Sequence, residues 1–233
     1  MCSLLPSIRT PVSSTIKGAH PQSAFPGTYR GCFRATWTGN RGSGSLWGSQ
    51  SWYCERRLPH FSVVGVPLFV TFRLHGSLPR GRAFRPDILT SNGEAFAAMD
   101  RLLDTARSGP CALRRPEIAR LVAAAILAGD TGFQRYRLHA YVVMPNHVHM
   151  LATPSVPSPS WLGPLKGFTA HEANRILGTA GSRFWQDESY DHLVRDGEFE
   201  RIRRYIEWNP VKAGLAANPE AFPWCSAAKS DAA

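Results

Sequence analysis

Residues 141–150 read Tyr-Val-Val-Met-Pro-Asn-His-Val-His-Met, two apolar, β-prone runs parted by Met144-Pro145-Asn146. Proline brings no backbone N–H and asparagine favours turns, so the stretch predicts a tight connection between two strands, 133–143 and 147–153. Strands joined this closely pair as an antiparallel hairpin, which sets the direction of the first strand pair. Residues two apart in a strand share a face. His147 and His149 therefore stand side by side, with Val148, Met150 and Leu151 continuing the apolar opposite face. Two neutral imidazoles in one small area suit a divalent metal such as Mg²⁺, Mn²⁺ or Zn²⁺. Two ligands do not close a coordination sphere, however, and a His-x-His spacing is also what an exposed sheet face presents. The motif alone leaves both readings open.

The segments around the hairpin extend the pattern. Residues 67–74, Pro-Leu-Phe-Val-Thr-Phe-Arg-Leu, are β-branched and aromatic with alternating character and predict a strand. A Gly/Pro-marked loop over 76–86 carries Arg80, Arg82 and Arg85. Residues 87–106 predict a helix on the spacing of Ile88, Phe96, Met99, Leu102 and Leu103. Residues 116–128 predict another, with Pro116 in its first turn and Gly129 at its end. A Ser/Pro linker at 154–159 leads into a helix over 160–177 that carries Lys166 and stops at Gly178. Residues 187–194 show no period. Residues 196–209 predict a helix capped by Asp196, with Phe199, Ile202 and Ile206 as its apolar stripe and Pro210 at its end. Strands and helices mixed without a repeating βαβ unit indicate an α+β domain over 58–228, built on an antiparallel sheet.

Charge narrows the partners. A net charge of +10 favours a polyanion, either nucleic acid or a membrane surface. No run of about 18 apolar residues exists to span a bilayer, and the first residues lack the apolar core of a secretory signal. Cysteines at 2, 32, 54, 111 and 225 form no Cys-x-x-Cys, which argues for reduced thiols and against a disulfide scaffold or zinc knuckle. Residues 1–57 are rich in Ser, Gly, Thr, Pro and Arg, with Trp37, Trp47 and Trp52 isolated among them; they predict a disordered basic leader. The pattern Gly-x-x-x-x-Gly-Lys-Ser/Thr is absent, so no nucleotide cofactor is expected.

A second constellation lies in Arg203-Arg204-Tyr205-Ile206-Glu207-Trp208-Asn209-Pro210. Tyr205 and Asn209 are four apart and share a helical face. A phenol is a weak nucleophile at its ordinary pKa near ~10; it attacks phosphorus when a metal polarises the target and cations stabilise the developing charge. Asn209 offers an oxygen that could complete the coordination begun by the histidines. The same spacing also describes an amphipathic helix with a tyrosine at the core rim. Tyr190, in Glu188-Ser189-Tyr190-Asp191-His192, is a rival nucleophile, although its setting favours packing or substrate positioning.

Several long blocks carry a resemblance: YVVMPNHVHM, LKGFTAHEANRILG, FWQDESYDHLVRD, ERIRRYIEWNPVKAGL and PEAFPWCSA, preceded by RRLPHF and PLFVTFRLHGSLP. In this order, over about residues 56–228, they are similar to REP-associated tyrosine transposases. These are relatives of the single-tyrosine insertion-sequence transposases in the HUH endonuclease superfamily. The resemblance implies a ferredoxin-like, RRM-like sheet flanked by helices, with a C-terminal helix carrying the catalytic tyrosine. It implies His147, His149 and Asn209 as ligands of a divalent metal (Mg²⁺ or Mn²⁺) and Tyr205 as the nucleophile. It implies cleavage and rejoining of single-stranded DNA with palindromic hairpins through a 5′-phosphotyrosine. The protein would be a monomer or homodimer, with no membrane association, in the bacterial cytoplasm beside the nucleoid. A non-cleaving hairpin-binding protein is the alternative, and a ferredoxin-shaped RNA-binding domain ranks behind both.

Arg80, Arg82, Lys166, Arg203, Arg204 and Lys212, with Arg85, Arg114, Arg115 and Arg201, could contact phosphates or read bases, although each alone has the look of a solvated charge. Trp208 departs from the resemblance, since asparagine is common there, and bears on substrate contacts rather than on a catalytic group.

Overall fold

Two sheets follow one another along the chain in the computed structural model, which describes residues 15–17, 32–38, 49–55, 59–78, 92–104 and 109–228. The first joins β1 (Thr15–Lys17), β2 (Cys32–Thr38), β3 (Ser49–Glu55) and β4 (Pro59–Val63) in that order, β1 parallel to β2 and the other pairs antiparallel. The described residues within 1–57, the segment the sequence predicts as a disordered leader, are β1, β2 and β3; the rest of that segment lies outside the described residues. A signal was there to read: Phe33, Ala35 and Trp37 alternate with Arg34, Thr36 and Thr38, a period of two masked by Gly/Ser-rich surroundings.

The second sheet is assembled from β5 (Leu68–Arg73), α1 (Asn92–Asp104), α2 (Pro116–Thr131), β6 (Tyr136–Val143), β7 (His147–Pro154), α3 (Pro159–Leu177) and β8 (Tyr190–Leu193). Its strand order is β6-β7-β5-β8, and every neighbouring pair is antiparallel. With the two crossovers carried by helices, this is the ferredoxin-like α+β arrangement. The expected hairpin is β6 and β7, closed by Met144 N–H donating to the His147 carbonyl at 2.9 Å. The central strands β5 and β7 are paired on both sides.

Alternation along those strands sorts the residues into two cores. Leu68, Val70 and Phe72 of β5 and Val148, Met150 and Ala152 of β7 pack with Ile118, Val122 and Ile126 of α2 and with Trp161 and Leu165 of α3. On the other face, Phe69, Leu151, Ala140 and Val142 meet Ile202 and Ile206 of α4 (Phe199–Glu207), with Cys225 beneath. Each of these large apolar side chains stabilises the fold by about 1.5–3 kcal/mol on burial. Thr71, His147 and His149 fall on the α4 face by the same alternation.

Five details depart from the sequence reading. Leu151, expected opposite the histidines, shares their face because it lies two residues after His149 in β7. Helix α2 runs past Gly129 to Thr131. Gly129 is bare because the Tyr136 hydroxyl passes there: a Cβ at Gly129 would lie 2.2 Å from that oxygen, which donates to the Ile126 carbonyl at 2.7 Å. Residues 190–193, read as irregular, form the edge strand β8 along β5. Asp196 is not the N-cap of α4: Gly197 turns the chain at φ 81° and α4 begins at Phe199 with Glu198 before it, while Glu198 takes the Arg195 N–H at 3.0 Å. Pro210 does not stop the helical course either. Trp208 N–H donates to the Arg204 carbonyl (2.9 Å) and Lys212 N–H to the Trp208 carbonyl (3.1 Å). The path therefore continues into α5 (Asn209–Lys212), with Pro210 in its first turn, where its missing N–H costs least.

Candidate active site

His147 and His149 are fully buried on the α4 face of β7, their Nε2 atoms 3.0 Å apart. Each ring is held from behind. His147 Nδ1 lies 2.7 Å from Asn146 Oδ1, and Asn146 is itself oriented by its Nδ2 donating to the Leu103 carbonyl at 3.0 Å. That geometry puts the His147 proton on Nδ1 and leaves Nε2 as a bare lone pair. His149 Nδ1 lies 2.7 Å from Thr71 Oγ1, directly across on β5. A threonine hydroxyl donates or accepts, so His149 can carry its proton on either nitrogen. Phe69 stacks on the His149 ring at 5.6 Å and closes it off on one side.

Helix α1 adds what the sequence reading missed. Asp100 is 3% exposed, and its Oδ1 lies 3.1 Å from His149 Nε2 and 3.7 Å from His147 Nε2. Asp104, one turn on, is 3.9 Å from His147 Nε2. Burial disfavours the Asp100 charge, yet the neighbouring His149 and His147 outweigh it and hold the carboxyl below its ordinary pKa. Asp104 goes the other way: burial and the charge of Asp100 push it up to about 7. Burial, with His149 beside it, pushes His147 down to about 3, so it is neutral at physiological pH. A signal existed for Asp100. It lies four residues after Phe96 and three before Leu103, on the stripe used to predict the helix, where an acid is unfavourable without a partner.

These donor atoms fit a cation. His147 Nε2, His149 Nε2 and Asp100 Oδ1 converge within one buried space, and Asp100, His147 and His149 are the one group of three or more such residues among the described residues. Asn209 Oδ1 is buried with no hydrogen-bond partner, and so is Asp100 Oδ1 when His149 carries its proton on Nδ1, a cost of about 1–3 kcal/mol each unless something fills the gap. With His149 Nδ1–H donating to Thr71, three acceptors face one another, and a cation reconciles them.

Tyr205 and Asn209 reach the same place from the other side. The Tyr205 hydroxyl donates to Asp100 Oδ2. Its ring lies edge-on to His149 at 5.8 Å and to Phe69 at 6.3 Å. Asn209 presents its amide nitrogen, 3.4 Å from His149 Nε2 and 3.5 Å from Asp100 Oδ2. A ligand role for Asn209 requires the amide turned so that Oδ1 faces the cluster. Lys212 sets its ammonium 4.5 Å above the Tyr205 ring.

The other described sequence candidates, Lys212 apart, contribute no side chain to this His–His–Asp cluster. Tyr190 lies edge-on to Phe69 at 6.3 Å, and burial together with Asp191 pushes its hydroxyl up to about 12. The Lys166 ammonium donates to the Gln186 and Asp187 carbonyls at 2.7 and 3.0 Å, joining α3 to the approach to β8. Arg203 lies 3.6 Å from both Glu200 and Glu207. Arg204 and Lys212 are exposed. Arg80, Arg82 and Arg85 lie outside the described residues.

Fold and site together define a ferredoxin-like domain with a buried His–His–Asp centre and a tyrosine hydroxyl beside it. No family model matches the chain, and no curated protein matches it either. Among solved structures it is similar to a REP-associated tyrosine transposase bound to a REP hairpin, at 19% identity and a TM-score of 0.44, over 74% of this chain and 82% of that one. It is also similar to a protein from Deinococcus radiodurans described as a transposase, at 18% identity and a TM-score of 0.30, over 64% of this chain and 93% of that one. Neither likeness assigns a role to any residue.

Proposed function

We propose that the chain is a single-tyrosine DNA nuclease and strand transferase of the transposase type, acting on single-stranded hairpin DNA through a 5′-phosphotyrosine. The observation that carries the reading is the shared carboxylate of Asp100, which faces the two histidines with one oxygen and accepts from Tyr205 with the other. The sequence blocks around residues 147 and 205 and the net charge of +10 support it.

In this reading His147, His149 and Asp100, with Asn209 once its amide is turned, hold a divalent cation such as Mg²⁺ or Mn²⁺. When bound, it supplies Lewis-acid polarisation of the scissile phosphate. Tyr205 Oη forms the new bond to phosphorus while the bond from phosphorus to the 3′ oxygen breaks. The phenolic proton passes to Asp100 Oδ2, the acceptor it already faces, and the departing 3′ oxygen takes up a proton to leave as a hydroxyl. The nearby Lys212 cation favours negative charge on the phenol oxygen. A second 3′-hydroxyl attacking the phosphotyrosine restores a DNA phosphodiester and returns the phenol. One phosphodiester replaces another at each step, so no nucleotide triphosphate is consumed.

The test is a labelled single-stranded hairpin incubated with the protein and Mg²⁺ or Mn²⁺, followed by denaturing electrophoresis. An adduct that survives denaturation and disappears in Tyr205→Phe supports the reading. An adduct lost in Tyr190→Phe instead overturns the nucleophile assignment. Hairpin binding without an adduct in either metal makes the chain a binding protein.

A further inference from the structure

We infer that Arg204, Trp208 and Lys212 form a docking ridge for an unpaired nucleobase and its flanking phosphates, beside Tyr205; the inference rests on the DNA-processing reading above. The ridge follows from the helical path through residues 204–212. Trp208 N–H donates to the Arg204 carbonyl and Lys212 N–H to the Trp208 carbonyl, so the three side chains stack one turn apart on one face. All three are exposed, Trp208 to 45%. Tyr205 and Asn209, one residue further round, turn inward to Asp100. The ridge and the nucleophile thus occupy adjoining faces of the same short path.

The charges distinguish this face from the rest of α4. Arg201 is paired with Glu198 at 2.9 Å, and Arg203 lies between Glu200 and Glu207. The cations flanking Trp208 behave differently: neither Arg204 nor Lys212 forms an ion pair with a carboxylate among the described residues. An exposed indole between Arg204, which has no carboxylate ion pair, and Lys212, whose ammonium lies over the Tyr205 ring, matches the chemistry of a single strand, whose bases offer a flat face and whose phosphates offer charge. Trp208 belongs to neither core, so its ring is open to that use. A fully duplexed partner keeps its bases stacked on one another and does not engage the indole.

The experiment measures binding by fluorescence anisotropy of the full chain on a labelled hairpin with single-stranded flanks, with one abasic nucleotide moved stepwise along a flank. Wild type is expected to lose affinity by about ten-fold at one position. Trp208→Ala should lose a similar amount with the intact flank and be indifferent to the abasic position, while Trp208→Phe recovers most of it. Arg204→Gln should lower the slope of log affinity against log salt by about one. If Trp208→Ala binds like wild type and responds to the abasic position as wild type does, or if a blunt duplex binds wild type as tightly, the ridge is overturned. A persisting Tyr205 adduct would then leave the nuclease reading intact. Absence of both hairpin binding and adduct in wild type overturns the nuclease reading, and the ridge with it.

Discussion

The Asp100 carboxylate is shared between Tyr205 and His149: the tyrosine hydroxyl donates to Oδ2 while Oδ1 lies 3.1 Å from the imidazole Nε2. A residue on α1 therefore ties the sheet histidines to a phenol on α4. The Tyr205 hydroxyl and the candidate metal pocket are thus bridged by a side chain that belongs to neither element.

Removing the phenol oxygen separates chemistry from binding. Tyr205→Phe is expected to abolish the covalent adduct while hairpin affinity changes by less than about three-fold. The variant also leaves Asp100 Oδ2 with a single weak donor, Asn209 at 3.5 Å. Its stability in urea should fall by about 1–3 kcal/mol. Tyr190→Phe should keep the adduct, since burial holds that hydroxyl near 12 and resists its ionisation.

Asp100→Asn keeps the shape and removes the charge. Isothermal titration with Mn²⁺ should show metal affinity weaker by at least about ten-fold. Chelation with EDTA should stop adduct formation in wild type, with recovery on adding Mg²⁺ or Mn²⁺. Unchanged Mn²⁺ affinity in Asp100→Asn would remove the carboxylate from the ligand set.

A histidine outside the His–His–Asp cluster predicts a pH dependence. His60 on β4 pairs with Asp191 on β8, and its Nε2 lies 2.9 Å from Glu188. Burial lowers its pKa, but Asp191 and Glu188 outweigh that and raise it above the usual 6.5. A folded pKa above the unfolded one means stability that is fully present below about 6.5 and lost as pH rises through the higher folded value. Denaturation midpoints should fall across that window in wild type. His60→Gln should flatten the fall, and a parallel decline in the variant would remove His60 as its source.

The close passage at Gly129 gives a test of packing alone. Gly129→Ala places a methyl group against the Tyr136 hydroxyl, and Tyr136 is pinned by Trp161 at 4.8 Å. A loss of about 1–3 kcal/mol is expected, read as a lower thermal midpoint with hairpin binding unchanged per folded molecule.

What could be read in advance was what neighbours in sequence determine. The turn at Met144-Pro145-Asn146 and the alternation around it are local, and β6 and β7 form as expected. Strand β8 was not legible. Its four residues, Tyr-Asp-His-Leu, include an aspartate that strands disfavour, and what holds them is β5 and His60, more than a hundred residues away. Asp100 was passed over for a similar reason. Its place on the apolar stripe of α1 calls for a buried partner, but only the fold brings it to a histidine on β7. The pairing of Tyr205 with His147 and His149 depends on α4 lying across the sheet, which no spacing encodes.

The strands β5 and β7 carry Thr71, His147 and His149 and are flanked on both sides, whereas Tyr205 rides on a nine-residue helix laid over one face. In native-state hydrogen exchange the amides of Phe72 and Val148 should open only with global unfolding, while those of α4 open in smaller excursions. Such exchange would mark a persistent imidazole floor and a separately detachable phenol. The covalent step proposed for Tyr205 would then be gated by how long a short helix stays seated rather than by the integrity of the sheet beneath it.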